Sequence, residues 1–447
     1  AVTNVGDPFF KTLGNNIDVR TDVPSYNIYE NGNFNKTVNQ ISELWNKNLF
    51  AFAIGCSFTF EHSLLRHGFS IDHISENKVV PMYSTNIKNQ KSGPFENTMV
   101  VSMRIFKILV VLFLIFTSCK DEYITRESIK VTIHKFKLDS TSVRAIEIVN
   151  DSSIVYAGSN GDLGIITSSG KLIGTKKIIT DTIIPQFRAL AYTKKAVYAL
   201  NIGNPAILYK YQNNNIEIVY KEENENVFYD SMQFFDELNG IAMGDPTNEC
   251  LSILITRDGG NTWGKIDCEY LPKIAAGEAA FAASNTNIAI VGENAWIVTG
   301  GLKSRVFHTS DMGLRWKVYN TPIIQGKNTT GIYSVDFYNE KQGIICGGDY
   351  LDKFGNSANK AITKDGGRTW EVVAENSEPK YVSCVQYVPE TQGKELFAVS
   401  TNGIFYSNNY GKSWKKVSDE GFYTIRFFDK NTAWLSGNNI IAKLEIK

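Results

Sequence analysis

From residue 128 onward, apolar and polar positions alternate in short runs, and the runs come in repeated pairs. "VRAIEIV" from 143 is followed by "VYAGSNG", "FRALAY" from 187 by "VYALNIG", "YDSMQFF" from 229 by "GIAMGDP" and "EAAFAAS" from 278 by "WIVTGG". The same pairing returns in "YSVDFY" from 333 with "GIICGGD", "VSCVQYV" from 382 with "LFAVSTNG" and "YTIRFF" from 423 with "AWLSGN". Alternation with a period of two marks half-buried strands, and glycines after the second run mark turns. Recurrence at roughly 40–55 residues, with several short strands per unit, is the pattern of propeller blades. Small residues at Ala145, Ala189, Ser231, Ala279, Ser334, Ser383 and Thr424 suit innermost strands crowded around a channel. The expected fold is mainly all-β, a seven-bladed β-propeller over 128–447. Its last unit ends at "NIIAKLEIK" without a fourth strand, so the unassigned strand at about 128–138 is expected to close the ring and remove free sheet edges.

Four of the units carry a second phrase: "ITRDGGNTW" (255–263), "HTSDMGLRW" (308–316), "ITKDGGRTW" (362–370) and "YSNNYGKSW" (406–414). Asp258, Asp311 and Asp365 are placed to accept backbone N–H groups inside a turn. Gly260, Gly313, Gly367 and Gly411 permit positive φ, and Trp263, Trp316, Trp370 and Trp414 supply packing. Asn409 stands for the aspartate in the fourth copy, a change mild for a turn and damaging for an acid catalyst. The phrases resemble the Asp-box, or bacterial neuraminidase repeat, which joins the two outer strands of a blade. Over 128–447 the phrasing resembles the Asp-box propellers related to photosystem II stability and assembly factors. That resemblance implies a binding or assembly scaffold, with ligands on the face away from these turns.

Composition narrows the function. Lys plus Arg equals Asp plus Glu at 46 each, which removes the basic footprint of a nucleic-acid binder. No zinc or phosphate-loop motif occurs, so neither metal nor cofactor is expected. Residues at the starts of the innermost strands become the candidate ligand site. They are Arg144, Arg188, Asp230, Glu278, Tyr333 and Tyr423, with Asp245, Lys303, Arg305, Asp349, Tyr350 and Arg426 nearby in the repeat. A ring of Arg, carboxylate and Tyr suits a protein or glycan ligand at the channel mouth of a monomeric propeller. A sialidase-like glycoside hydrolase is the enzymatic alternative, but "VRAI" and "FRAL" stand where that family has F/Y-R-I-P. Cys250 and Cys268 are equidistant from Gly259, so a regular hairpin brings them within disulfide range.

Residues 103–119, "MRIFKILVVLFLIFTSC", combine Arg104 and Lys107 with a short apolar run and a closing Cys119. This reads as a lipoprotein signal peptide rather than a membrane span. Lipidation at Cys119 and a place at the outer membrane, cell surface or periplasm are expected, with 120–127 as a linker. Since a signal belongs at a start codon, Met103 is expected to begin one protein, and 1–102 to derive from another reading frame.

That first stretch differs in texture. "LFAFAIGC" (49–56) runs as a strand into "SFTFEHSLLRHG" (57–68), a capped helix pattern, giving a truncated α/β fragment. "GCSF-F-E", "H-I" and "VPMY-TNI" occur in the order and spacing of the D-glutamate cyclase, or hydro-lyase, family, which this stretch resembles. The resemblance implies lyase chemistry on a small carboxylate in a cytoplasmic protein. Cys56, Ser57, Glu61, His73 and Tyr83 are the candidate proton-transfer and binding groups, and Arg20, between Asp18 and Asp22, is a candidate carboxylate fork. The pattern breaks at Met103, so the fragment is expected to be inactive.

Overall fold

In a computed structural model, the described residues are 3–10, 17–23, 25–30, 33–49, 51, 82–88, 98–102 and 123–447. The chain divides into two compact units, 1–120 and 121–447. In the first, three short antiparallel pairs are described: Phe9–Phe10 with Ile17–Asp18, Tyr26–Glu30 with Asn33–Val38, and Met82–Lys88 with Thr98–Ser102. Arg20 is engaged locally: its Nε and Nη2 donate to Asp18 at 2.9 and 2.7 Å. Cys56, Ser57, Glu61, His73, the expected helix at 57–68 and the whole 103–119 segment with Cys119 lie outside the described residues. Tyr83 sits in the strand Met82–Lys88. Among the described residues, no helix is long and apolar enough to cross a membrane.

The second unit is a β-propeller. Its strands form six antiparallel sheets, four of them four-stranded meanders. Phe187–Tyr192, Val197–Asn201, Ala206–Gln212 and Asn215–Glu222 make one such meander, in chain order from the inside outward. The innermost strands touch in a closed ring: Val131–Asn150, Phe187–Tyr192, Tyr229–Phe234, Ile288–Val291, Thr330–Phe337, Cys384–Tyr387 and Thr424–Asp429, which returns to Val131–Asn150. Val131–Asn150 serves twice. Its Val131 to Lys137 pair with Ile446 to Ile440 of Thr432–Ile446, while Val143 to Asn150 pair with Ser153–Gly158. The start and the end of the unit therefore share one six-stranded sheet, and backbone groups that would be a free edge are bonded.

Cores lie between neighbouring sheets. Leu200 and Leu208 of one sheet pack with Tyr229, Met232 and Leu254 of the next, all buried, and each such side chain contributes about 1.5–3 kcal/mol by leaving water. Residues 123–127, expected as a linker, are docked on the propeller. Arg126 forms an ion pair with the buried Glu395, which also accepts from the Tyr123 hydroxyl at 2.9 Å.

The four repeated turns share one hydrogen-bond scheme. The Gly260, Gly313, Gly367 and Gly411 amides donate to Thr256, Thr309, Thr363 and Ser407 hydroxyls at 2.9–3.0 Å. Asp258 Oδ1 accepts from the Asn261 and Thr262 amides, and Asp311 and Asp365 do the same in their own turns. Asn409 Oδ1 keeps one of these bonds, from Ser413 N. The turns also reach sideways. Tyr198 donates its hydroxyl to Gly259 O, and the buried Trp296 donates Nε1–H to Gly366 O at 2.8 Å. Each link joins a turn to the second strand of the preceding sheet, which explains why a Cβ on Gly260 would sit 2.3 Å from Tyr198.

Cys250 and Cys268 are disulfide-bonded, with Cα atoms 5.5 Å apart. The bridge lies just beyond the paired strands and fastens the helical turn Cys268–Tyr270, the one helical element among the described residues.

Candidate functional site

One expected element is misplaced in the sequence reading. "EAAFAAS" is not an innermost strand: Glu278–Ala279 is a two-residue strand paired with Gly300–Gly301, and the innermost strand here is Ile288–Val291. The residues between cross the channel. Asn285, at φ +58°, donates Nδ2–H to Leu190 O at 2.7 Å and accepts from Met232 N at 3.0 Å. Ser284 donates to Ser383 O, its own carbonyl accepts from Thr424 Oγ1, and Thr286 donates to Ser334 Oγ at 2.8 Å. Arg426 closes the set by donating to Asn285 O at 3.1 Å. Backbone and side-chain groups of the innermost strands thus hold Ser284, Asn285 and Thr286 as a plug across the channel.

Above the plug lies a cavity of about 430 Å³. Arg144, Arg188, Tyr333 and Tyr423, four of the expected ligand-site residues, line it together with Asp245 and Tyr381. Arg144 lies over the Tyr423 ring, 3.9 Å from its centroid, and donates Nη1–H to Ala283 O at 2.9 Å. Arg188 donates to Ala282 O at 3.3 Å. The plug therefore fixes one edge of each guanidinium. Phe281 stacks on Tyr333 at 4.3 Å and gives the cavity an aromatic wall.

Tyr350, expected nearby, also lines the cavity and Arg426 holds the plug, whereas Asp230, Glu278, Lys303, Arg305 and Asp349 are not in the lining. Glu278 is buried against Arg305, whose Nε donates to both carboxylate oxygens at 3.0 Å, so the two neutralise each other at a separate place. Asp230 is fully buried below the lining, and both its carboxylate oxygens lack a hydrogen-bond partner. Sequence reasoning missed Tyr381, Phe281 and the Ala282 and Ala283 carbonyls. The signal available was "AAGEAAFAASNTN" (275–287), a run of small residues without strand alternation.

The electrostatics favour an anion. Burial, with the neighbouring Arg144 charge next, lowers the Arg188 pKa to about 10, so Arg188 remains cationic at neutral pH. Burial pushes Asp245 up to about 6, opposed by the Ala280 amide it accepts from at 2.7 Å. Burial, with the Asp245 charge next, raises Asp230 well above the ordinary carboxylate range, against the pull of Arg188. Beside the cavity, Leu351 and Phe354 are 77% and 73% exposed, an apolar patch next to the lining Lys353. No group of three or more metal-ligating side chains occurs among the described residues.

The arrangement defines a β-propeller with a plugged channel and a cationic, aromatic mouth. Comparison with solved structures places it beside YCF48 bound to D1 peptide: TM-score 0.53, 12% identity, covering 71% of this chain and 97% of that one. The WD40 repeats of RRP9 align with TM-score 0.53 and 9% identity over 72% of this chain and all of that one. At these identities the likeness is one of fold. The D-glutamate cyclase family model matches residues 50–134. A hydro-lyase relative from Dinoroseobacter shibae is 50% identical over 103 residues, 23% of this chain and 34% of its own length. One from Ruegeria pomeroyi is 47% identical over 103 residues, 23% of this chain and 38% of its own. The chain spans about a third of the length of these relatives.

Proposed function

We propose that the propeller is a non-enzymatic binding scaffold that takes a carboxylate-bearing peptide segment at the channel mouth. The observation that carries this reading is the convergence of Arg144 and Arg188 on one aromatic cavity, each with an edge held by the plug and another free for a ligand. Arginine forks suit carboxylates bidentately, and exposed Leu351 and Phe354 offer apolar contact to the residues alongside. A propeller of this fold has been solved with a peptide, which supports the class of ligand. Hydrolysis of a glycoside is less well supported, because Asp245 is the one carboxylate lining the cavity and a sialidase-type Tyr nucleophile asks for a Glu beside it, which the lining lacks. The closed ring of innermost strands, with the shared sheet divided between first and last, is best read as seven blades, and the four turns as Asp-boxes.

The test is titration calorimetry of the whole chain with a short peptide bearing a C-terminal carboxylate, against the same peptide amidated. The free acid should bind at least tenfold tighter, about 1.4 kcal/mol; equal affinities would sink the reading. The pH dependence has a defined sign. Lowering pH from 7.5 to 5 protonates Asp245 as it passes about 6, which removes a negative charge facing the ligand while the ligand's terminal carboxylate, with a pKa of about 3.5, stays ionised. Affinity should therefore rise as pH falls.

Two further proposals concern the N-terminal part. We read 103–119 as a lipoprotein signal, with Cys119 lipidated at the outer membrane, cell surface or periplasm. Expression from Met103 in a Gram-negative host should put the propeller in the membrane fraction, and Cys119→Ser should release it; an unchanged distribution would refute the anchor. We read 1–102 as a chimeric, inactive cyclase-like fragment. Incubation of the chain with D-glutamate should yield no 5-oxoproline by chromatography, and turnover would overturn that.

A further inference from the structure

A second concavity opens on the propeller rim, between the turns at 309–316 and 363–370, with a volume of about 1030 Å³. Lys317, Lys341, Lys364 and Arg368 line it with Arg315, facing the carboxylates Asp311, Asp365 and Glu340. Asp311 and Asp365 are held by amides of their own turns, and Arg315 is paired to Asp311 at 2.8 Å. The remaining four cations make no ion pair among the described residues. Their closeness shows at His308, which lines the same groove: burial lowers its pKa, and Arg368 and Lys317 lower it further. Aromatic faces stand among the charges. Trp316 and Tyr319 are half-buried, and Tyr270 is 63% exposed. Tyr270 belongs to the turn Cys268–Tyr270 that the disulfide fastens, so its place at the groove edge is fixed covalently within two residues.

We propose that this groove binds an anionic polysaccharide, a glycan carrying sulfate or uronate groups. Sugar faces stack on Tyr270 and Trp316 while the acidic groups meet Lys364 and Arg368. The mixture of charges selects the ligand. A polynucleotide presents a phosphate about every 3.4 Å along each strand, and the three lining carboxylates oppose so dense a charge. A glycan spaces its anionic groups by one or more sugar rings, and its hydroxyls donate to the carboxylates between the lysines. The site lies apart in sequence and lining from the Arg144 and Arg188 cavity and is independent of the peptide reading.

The test is calorimetric titration of the whole chain with a hyaluronan octasaccharide, which carries one uronate every second ring, at low and moderate salt. Binding should weaken with salt, and K364A/R368A should reduce it by roughly tenfold per cation removed. Both residues are exposed, so the variant keeps its fold. Tyr270→Ala should cost several-fold, and reduction of the disulfide should reproduce part of that loss. Arg144→Ala should leave octasaccharide binding unchanged, which separates this site from the channel mouth. Unchanged affinity in K364A/R368A, absence of binding at about millimolar ligand, or tighter binding of a single-stranded oligonucleotide of equal charge would each overturn the proposal.

Discussion

Arg188→Ala is expected to weaken a carboxylate-terminated peptide by roughly 30- to 100-fold, about 2–3 kcal/mol, the range for removing one partner of a desolvated charge-assisted contact. The fold should barely notice. Arg188 is half-buried beside the like charge of Arg144, and burial and that repulsion already depress its pKa to about 10. Its removal relieves the repulsion. The remaining cost would fall on Asp230, which loses its attractive neighbour, but that fully buried carboxyl is already pushed well up and goes over to the neutral acid instead of staying charged. Binding measured by calorimetry should therefore collapse while the thermal midpoint moves by no more than a few degrees. A large fall in stability with intact binding would make Arg188 a structural residue and refute the site. Arg188→Lys should recover only part of the affinity, since an ammonium lacks the planar fork.

The parts of this molecule legible in the sequence are those where one residue does one local job. The strands announce themselves as short apolar runs closed by turn residues at a regular spacing, and the turns do so because Thr256, Asp258 and Gly260 satisfy one another within five residues. Arg144, Arg188, Tyr333 and Tyr423 could be aligned because they hold equivalent places in their repeats, and the structure brings them to one cavity. The plug could not be seen this way. Residues 280–287 have no counterpart in the other units, and their partners are Leu190, Met232, Ser383 and Thr424, distant in sequence. Glu278 escapes the repeat alignment for the same reason: it pairs with Gly301 in a two-residue strand, not along an innermost one. Its side-chain partner, Arg305, lies 27 residues on, at the start of the strand Arg305–Thr309. The turns show the same limit from the other side. Their internal bonds are readable, but the sideways links from Tyr198 and Trp296 are tertiary, and they make the rim cohesive between sheets.

Trp296→Ala should be the most damaging single change in the propeller core, lowering stability by about 4–5 kcal/mol, the upper part of the range for deleting a buried Trp. The indole is fully buried, stacked on Phe337 with 3.6 Å between ring centroids, and covered on its other side by His308 at 5.1 Å. It belongs to one sheet and Phe337 to the next, so truncation opens a cavity at a seam where backbone cannot collapse without shifting two sheets. The lost Nε1–H also strands Gly366 O in the adjoining turn, a further cost of about 1–3 kcal/mol where water cannot reach. Trp296→Phe separates the two contributions, because it restores most of the packing and leaves the carbonyl unpaired; it should lose about half as much. All tryptophans except Trp45 lie in the propeller, so intrinsic fluorescence during urea unfolding reads the relevant transition. A loss below about 1.5 kcal/mol for Trp296→Ala would show that the seam relaxes freely and that the turn-to-sheet link does not hold the blades together.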